Sequence, residues 1–348
     1  MTVLLKPRAL KPGDVVASIS LSWGGPYEYK ERYLYGKEQL QEYFKLQVKE
    51  ASHALSAPNW LAENPLAKAQ DLHQCLVDPE IKGVFSTIGG EDAYKIIPFI
   101  DLQIIRNNPK IFIGYSDTTV LNFVFNKAGV VSFYGPSIMS GFGENGGLHE
   151  YLIQGVKKTI FSNQVVGKLY ENSEGWVANQ YDWADKKMQN IKRPLFASAP
   201  WNYIQGNKIV QGKLLGGCTE TLETIKNSAI WPSLDEWQDV IFFLENSENA
   251  MSTNEFENVL TSYGDMGIIQ KIKGLLFGRP GGSIVADKFN EYDQIILKIC
   301  KKFGRTDLPV VTQMDFGHTD PMMTIPVSVI AEIDPKLRKI KVLESCCW

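Results

Sequence analysis

The sequence predicts an α/β protein of two lobes: an N-terminal lobe built on a parallel sheet, and a C-terminal lobe that is β-rich, mixed α/β and barrel-like. Three observations lead to this prediction. The chain has 348 residues, enough for about two domains of roughly 150 residues each. In the first half, apolar runs alternate with apolar stripes at helical spacing, which is typical of a parallel sheet covered on both faces. In the second half, strand candidates outnumber helices.

The first lobe is expected to span residues 1–165. A turn signal at Pro12-Gly13-Asp14 precedes the first apolar run, and apolar residues recur at helical spacing between the later runs, for example from Leu66 to Leu76. The predicted strands cover residues 15–20, 46–50, 81–88, 111–115 and 130–133, and two of the predicted helices cover residues 92–100 and 117–127.

A polar stretch separates the two lobes. From about residue 163 to 205 the periodic pattern gives way to Asn, Lys, Asp and Glu with Trp176, Trp183 and Trp201 among them. We interpret residues 166–205 as a connecting segment and substrate loop, and residues 206–348 as the second lobe. Predicted strands there cover residues 209–215, 239–244, 272–277, 308–314, 325–333 and 337–343.

Charge and composition exclude several functions. Thirty-six Lys and Arg against 39 Asp and Glu give a net charge of −3 without a basic block, so we expect no nucleic-acid partner. No apolar run approaches the roughly 18 residues of a membrane span, and with an N-terminus that turns charged early, we expect a cytoplasmic protein without a membrane partner. The five scattered cysteines lack C-x-x-C spacing, which indicates reduced thiols and no metal site.

Ser116 lies where an apolar strand ends and a helix begins, in the segment IFIGYSDTTVLNFVF. A serine on such a turn presents its hydroxyl to solvent, beside helical N–H groups that favour negative charge. The pattern is G-x-S-x-T rather than G-x-S-x-G, and taken alone it is better explained by an N-cap serine. Ser116 is therefore a candidate nucleophile that needs support from other residues.

A nucleophilic serine needs a base, and the base needs an orienting acid. His318 follows the apolar run PVVTQMDF through Gly317, whereas His73 lies on a helix stripe and His53 and His149 lie in polar loops. Glu245 terminates the apolar strand candidate 239–244. The alternatives are a surface histidine and a helix-capping glutamate. Because ligands in parallel α/β sheets bind beyond the carboxyl ends of strands, we expect Ser116, Glu245 and His318 to form one catalytic site.

Three further motifs have weaker meaning. Gly89-Gly90 is a plain turn on pattern alone, or else it supplies an N–H group to an oxyanion together with the amide of Asp117. Gly141 to Gly146 matches G-x-G-x-x-G but follows no strand, so it does not predict dinucleotide binding. His149-Glu150 lacks the second histidine of H-E-x-x-H, so no metal and no cofactor are expected.

The motifs, in order, resemble those of the serine peptidases that include LD-carboxypeptidases and the MccF-like microcin C immunity proteins. The resemblance covers nearly the whole chain and implies a Ser-Glu-His triad at Ser116, Glu245 and His318, with an oxyanion hole from the amides of Gly90 and Asp117. It also implies a cytoplasmic enzyme without metal or cofactor, commonly a homodimer. The motifs are STIGGED, RNNPKIFIGYSDTT, FYGP, GKLLGGCTETL, WPSLDEWQDVIFFLE and FGHTDPM.

Within that family the chain looks closer to the MccF-like branch, which implies a small peptidyl or aminoacyl-nucleotide substrate cleaved at a C-terminal amide. In that branch a loop tryptophan stacks on the purine, and Trp183 matches it better than Trp176, although a tryptophan can equally pack under its own loop. Cys218 stands where some relatives have Asn. The alternatives are an LD-carboxypeptidase that releases D-alanine from murein tetrapeptide, and a non-catalytic two-lobed protein that binds a small ligand.

Overall fold

The computed structural model describes residues 3–348, which fold around two β-sheets. Continuous apolar runs form the central strands because both faces of these strands are covered. The strands are β1 (Val15–Ile19), β2 (Gln47–Glu50), β3 (Ile81–Ser86), β4 (Ile111–Gly114), β5 (Ser132–Tyr134), β6 (Gly167–Lys168), β7 (Asn202–Gln205), β8 (Val210–Cys218), β9 (Val240–Glu245), β10 (Gly274–Gly278), β11 (Val310–Met314), β12 (Ile325–Val327), β13 (Ile330–Asp334) and β14 (Lys339–Val342).

Helices connect most of the parallel strands. They are α1 (Gly25–Glu28), α2 (Lys30–Phe44), α3 (Pro58–Glu63), α4 (Pro65–Val77), α5 (Leu102–Asn107), α6 (Thr119–Ala128), α7 (Glu150–Ile160), α8 (Thr219–Ile225), α9 (Thr253–Asp265), α10 (Ile268–Lys271) and α11 (Phe289–Lys302). No helix in residues 3–348 is long and apolar enough to cross a bilayer.

The first sheet has the order β12-β5-β4-β3-β1-β2, and its five N-terminal strands run parallel. The second sheet has the order β6-β14-β13-β8-β9-β10-β11-β7, with parallel pairing from β8 to β11 and antiparallel strands on either side. The predicted fold class, a parallel α/β lobe followed by a β-rich mixed lobe, is confirmed.

The two sheets share one hydrophobic core. A contact between them is that of Tyr134 in β5 with Phe243 in β9, whose ring centroids are 5.4 Å apart. Residues 325–327 near the C-terminus add β12 to the first sheet by antiparallel pairing with β5. The predicted lobe limits at residues 165 and 205 therefore stay a prediction, since the chain returns to the first sheet after residue 205.

Two predicted elements differ from the structure in detail. Residues 325–333 form two strands in different sheets, because Ser328 has a positive φ of 73° and its hydroxyl donates to the side chain of Asn126 at 2.8 Å. Residues 92–100, predicted as a helix, form a helix of the 3-10 type at Ala93–Phe99. Pro98 lies inside it and cannot donate the backbone hydrogen bond that an α-helix needs.

Candidate active site

Ser116 lies on a tight turn between β4 and α6. Its φ of 59° is in the left-handed region, which is uncommon for a residue other than glycine and costs on the order of 1–3 kcal/mol. Neighbouring hydroxyls hold the turn: Thr119 Oγ1 donates to the carbonyl of Ser116 at 2.6 Å, and Thr118 Oγ1 donates to that of Tyr115 at 2.7 Å. Gly114 is required, because a Cβ there would lie 2.5 Å from Thr118 Oγ1.

The structure brings Ser116, His318 and Glu245 together. The Oγ of Ser116 is 3.0 Å from Nε2 of His318, and Nδ1 of His318 is 2.7 Å from Oε2 of Glu245. Glu245 ends β9 and is fully buried, whereas His318 follows β11 in a loop. This is the hydrogen-bonded order in which a base activates a hydroxyl and an acid orients the base. Their catalytic roles stay a prediction.

The carboxylates around His318 govern its protonation. Burial by itself lowers the pKa of His318, but the charges of Glu245 and Glu248 and the hydrogen bonds to them raise it well above the usual value. The contact of Nδ1 with Glu245 places a proton on Nδ1. Nε2 is then the nitrogen that can accept a proton from Ser116.

Tyr134 is a further residue of this site, and the sequence did not reveal its role. It ends β5, and its hydroxyl donates to Oε1 of Glu245, the carboxylate oxygen that does not contact His318. The same hydroxyl oxygen accepts the backbone N–H of Ser116 at 3.3 Å. Tyr134 therefore links the turn of the nucleophile to the buried acid. The motif FYGP contained it, but only the pairing of β4 with β5 shows what it contacts.

Glu248 also contacts the imidazole. Its Oε2 is 3.1 Å from Nε2 of His318, the nitrogen that faces Ser116, although 67% of its side chain is exposed. The hydrogen bond to His318 lowers the pKa of Glu248 to about 2. Glu248 lies three residues after Glu245, in the polar loop that follows β9, and sequence reasoning assigned it no role.

The segment at Gly89-Gly90 lies directly against the nucleophile. A Cβ on Gly89 would be 2.9 Å from Cβ and 3.0 Å from Oγ of Ser116, and one on Gly90 would be 2.3 Å from Oγ of Ser22. Gly90 has a φ of 148°. The backbone N–H groups of Gly90 and Asp117 donate to no acceptor within the described residues 3–348, so both can donate to a ligand.

The side chain of Asp117 has a structural role. Its Oδ2 accepts the hydroxyl of Ser22 at 2.5 Å and the backbone N–H of Ala93 at 2.8 Å. Burial raises the pKa of this carboxyl. These two contacts bring the segment after β1 and the 3-10 helix after β3 to the turn that carries Ser116.

A cleft of about 430 Å³ opens above Ser116. One wall is aromatic: the ring centroids of Trp23 and Tyr29 are 5.9 Å apart, and those of Tyr29 and Trp183 are 5.8 Å apart. The residues that line the cleft are Trp23, Tyr29, Ile88, Gly89, Gly90, Tyr115, Ser116, Ser140, Ala178, Gln180, Tyr181, Asp182, Trp183, Glu248, His318 and Asp320.

The two predicted substrate-binding tryptophans lie in different places. Trp183 lines the cleft, and its indole nitrogen is buried without a hydrogen-bond partner among the described residues. Trp176 does not line the cleft. It is 6% exposed and packs against Phe196, with ring centroids 5.0 Å apart, and under the guanidinium of Arg279 at 5.2 Å. Its position is that of a packing residue beneath the loop.

A buried ion network holds the segment that carries Trp183. Arg193 donates through Nη2 to Asp320 at 2.7 Å and through Nε to Glu144 at 2.9 Å. Glu144 lies in the G-x-G-x-x-G segment that sequence analysis set aside, so this segment anchors the loop over the cleft. Because removal of one partner from a buried ion pair leaves an uncompensated charge, the network fixes the loop.

Comparisons with known proteins support one family. Residues 16–135 match the LD-carboxypeptidase N-terminal domain, and residues 211–333 match the LD-carboxypeptidase C-terminal domain. The chain belongs to the LD-carboxypeptidase family. The two matches include Ser116 in the first domain and both Glu245 and His318 in the second.

Similar members of the LD-carboxypeptidase family come from several bacteria. The microcin C7 self-immunity protein MccF of Escherichia coli is 28% identical over 339 residues, which are 96% of this chain and 94% of that protein. A Bacillus subtilis protein named "Probable murein peptide carboxypeptidase" is 34% identical over 140 residues, 40% of this chain and 42% of its own length. The MccF-like protein of Streptococcus pneumoniae, solved in complex with AMP, has a TM-score of 0.85 at 26% identity and covers 95% of this chain and 98% of its own.

One group of side chains in residues 3–348 has the spacing of metal ligands. It comprises Cys218, Glu245 and His318, with candidate ligand atoms within 4.8 Å of one another. Burial raises the pKa of the Cys218 thiol well above the usual value, and this thiol donates to Glu220 at 3.2 Å. In this structure each of the three side chains has a partner within the protein, since the thiol contacts Glu220, and Glu245 and His318 contact each other.

Proposed function

We propose that this protein is a serine hydrolase of the MccF-like kind, which cleaves the amide between the carbonyl of an aminoacyl or peptidyl group and a nucleotide-like group. The observation that carries the proposal is the hydrogen-bonded series from Ser116 through His318 to the buried Glu245 at the floor of an open cleft. The relationship to MccF and the AMP bound by the Streptococcus pneumoniae protein support the nucleotide.

In the proposed reaction, Oγ of Ser116 attacks the substrate carbonyl carbon and its proton passes to Nε2 of His318. Glu245 accepts the Nδ1–H of His318 and stabilises the imidazolium that forms. When the tetrahedral intermediate collapses, the leaving nitrogen takes the proton from Nε2. Water then attacks the acyl-enzyme ester, with His318 again as base, and the free acid is released.

The negative charge of the tetrahedral intermediate develops on the carbonyl oxygen. The amides of Gly90 and Asp117 are the donors proposed for it, because both lie beside Ser116 and neither donates to another acceptor in residues 3–348. Loss of one such donor typically costs about 10²–10³ in kcat. The close packing of Gly89 on Ser116 brings these donors to the nucleophile without an intervening side chain.

Trp183 is the residue proposed to stack on the nucleobase. Its indole lines the cleft beside Tyr29, and the guanidinium of Arg32 lies 5.1 Å from its ring centroid, which supports the ring from another side. Trp176 is not part of this proposal, because it packs beneath the loop.

Hydrolysis of murein tetrapeptide by LD-carboxypeptidase chemistry is the second candidate, supported by family membership. That substrate ends in a free carboxylate, which proteins usually bind with Arg or Lys. Among the described residues, no Lys or Arg lines the cleft. The phosphate of a nucleotide would lack the same partner, so the charge of the cleft does not separate the two substrates. The similarity to MccF over 96% of this chain is what favours the aminoacyl-nucleotide substrate. A cytoplasmic homodimer without a cofactor is the state proposed for the enzyme, and light scattering after gel filtration tests the dimer.

Side-by-side hydrolysis of alanyl sulfamoyl adenosine and murein tetrapeptide tests the proposal. Ser116→Ala should abolish turnover of the adenosine compound while ligand affinity persists, because the hydroxyl acts mainly in the transition state. His318→Ala and Glu245→Ala should each lower kcat by about 10³ or more, and either one combined with Ser116→Ala should add little.

Ser162→Ala is the matched control, since Ser162 lies outside the cleft and its hydroxyl only accepts the amide of Gln164. It should keep wild-type kcat. Wild-type turnover by Ser116→Ala would refute the enzyme proposal, and turnover of murein tetrapeptide alone would favour the second candidate.

A further inference from the structure

Glu248 contacts Nε2 of His318, the nitrogen that must accept the proton of Ser116 in the proposed reaction. Its carboxylate lies 3.1 Å from Nε2 of His318, while Oγ of Ser116 lies 3.0 Å from the same nitrogen. The negative charge of an ionised carboxylate at this distance favours a proton on Nε2, because such a carboxylate can accept a hydrogen bond but cannot donate one. Ser116 is activated only when Nε2 is free to accept a proton. The observed contact and the proposed catalytic step therefore oppose each other.

The side chain of Glu248 is free to leave this contact. It is 67% exposed, and His318 is the only group in the described chain to which its carboxylate is bound. Glu245, by contrast, is fully buried and held by both Tyr134 and His318. Of the two carboxylates on His318, Glu248 is the one that can move to another cation.

The cleft supplies no other cation to Glu248. No Lys or Arg lines it within residues 3–348, and the carboxylate of Asp320 there is already paired with Arg193 at 2.7 Å. The remaining carboxylate of the wall, that of Asp182, accepts the amide of Ala184 at 2.9 Å. A ligand that carries a positive charge is the partner that this wall favours.

The reaction geometry places such a charge within reach. The oxygens of Glu248 and Ser116 that contact Nε2, at 3.1 Å and 3.0 Å, are no more than about 6 Å apart. The α-nitrogen of an aminoacyl group is two bonds from the carbonyl carbon that Ser116 attacks. An α-ammonium group of a substrate placed for attack can therefore reach hydrogen-bond distance of Glu248.

We propose that Glu248 is the specificity residue that binds the protonated α-amino group of the substrate, so that free aminoacyl derivatives are preferred to N-blocked peptidyl ones. This inference rests on the proposed function. Binding of the ammonium draws the carboxylate away from His318, so Nε2 releases its proton to solvent and can then accept the proton of Ser116. A substrate without the charge leaves Glu248 on His318. Binding of the substrate amine by Glu248 is thus coupled to the activation of His318 as a base.

The test compares kcat/KM for alanyl sulfamoyl adenosine and N-acetylalanyl sulfamoyl adenosine in the wild type and in Glu248→Gln. The wild type should prefer the free amine by about tenfold or more, the usual scale for a charge-assisted hydrogen bond. In Glu248→Gln this preference should fall at least tenfold. Because steric and electronic differences between the two compounds are the same for both proteins, the ratio of the two preferences isolates the carboxylate.

Asp182→Asn is the matched control, because it removes a negative charge from the same cleft and keeps the oxygen that accepts the amide of Ala184. It should retain the wild-type preference. An unchanged preference in Glu248→Gln, or an equal loss in Asp182→Asn, would overturn the inference while the hydrolase stands. If the wild type hydrolyses neither compound, the proposed function fails and the inference fails with it.

Discussion

Tyr134→Phe is the sharpest test of how the buried acid is held. The substitution removes one oxygen atom and leaves the ring, which packs on Phe243 at 5.4 Å between centroids. That oxygen is the hydrogen-bond partner of Oε1 of Glu245, a fully buried carboxylate. In the variant, Oε1 has no donor, while Oε2 keeps its contact with His318 at 2.7 Å.

The cost in stability follows from the charge of the acceptor. A hydrogen bond to a charged group contributes about 1.5–3 kcal/mol, and the orphaned carboxylate oxygen stays buried, so we expect a loss of about 2–3 kcal/mol. An unfolding entropy of about 2.1 cal/mol/K per residue over 348 residues converts this loss to a fall in Tm of about 3–4 °C. Differential scanning calorimetry measures it.

The cost in activity follows from orientation. Without Tyr134, Glu245 can rotate and carry His318 with it, and a displacement of about 1 Å is enough to lower kcat by roughly 100-fold. We expect a 10- to 100-fold lower kcat for alanyl sulfamoyl adenosine with nearly unchanged KM, because Tyr134 does not line the cleft.

Tyr33→Phe is the control, since it removes the hydroxyl of another buried tyrosine, one bound to Ser18 at 2.7 Å and Glu50 at 3.0 Å away from the cleft. It should lose about 1–2 kcal/mol of stability and no activity, because Glu50 is partly exposed and keeps its ion pair with Lys37. Wild-type kcat in Tyr134→Phe would refute the reasoning, and an equal fall in kcat in Tyr33→Phe would assign the effect to general destabilisation.

Three further predictions concern the walls of the cleft and the base. Trp183→Ala should weaken kcat/KM for an aminoacyl nucleotide by about 1–3 kcal/mol, the usual worth of base stacking, and spare small esters; an equal loss on both in steady-state kinetics would contradict stacking. Although burial lowers the pKa of His318, its carboxylate partners raise it well above the usual value, and the base must be neutral. The acid limb of a kcat/KM–pH profile should therefore have its midpoint above the ordinary histidine value of about 6.5, and a midpoint below it would contradict the assignment. Gly89→Ala places a methyl group 2.9 Å from Cβ of Ser116 and should lower kcat by about 10²–10³. Gly155→Ala, where the nearest atom is 3.8 Å away, should not lower kcat.

The sequence was informative wherever burial alone decides the structure. Strands β4 and β9 are buried along their whole length, so they read as unbroken apolar runs, and the residues that follow such runs in a parallel arrangement lie at one edge. This is why the fold class was predictable, and why Ser116 and Glu245 could be selected together before their contacts were known.

The sequence failed where the direction of the chain depends on a single residue. The apolar residues on both sides of Ser328 are buried in one core, so residues 325–333 read as one strand. Only the positive φ of Ser328 separates β12 from β13. Trp176 and Trp183 pose a similar problem, because both lie in the same polar segment of the sequence. Only the structure shows that Trp176 is packed against Phe196 and that Trp183 lines the cleft.

Glu245 and Glu248 are three residues apart and contact the same imidazole, but they differ in burial and mobility. Glu245 is the last residue of β9, so the sheet fixes its backbone. His318 contacts one of its carboxylate oxygens, and Tyr134 donates a hydrogen bond to the other. Glu248 lies beyond the end of the sheet, so nothing in β9 fixes it, and it contacts the other nitrogen of the same ring. A fixed carboxylate on Nδ1 holds a proton on that nitrogen and orients the imidazole. A mobile carboxylate on Nε2 makes that base available only when something else attracts it, so the identity of the competing cation decides which substrates are cleaved.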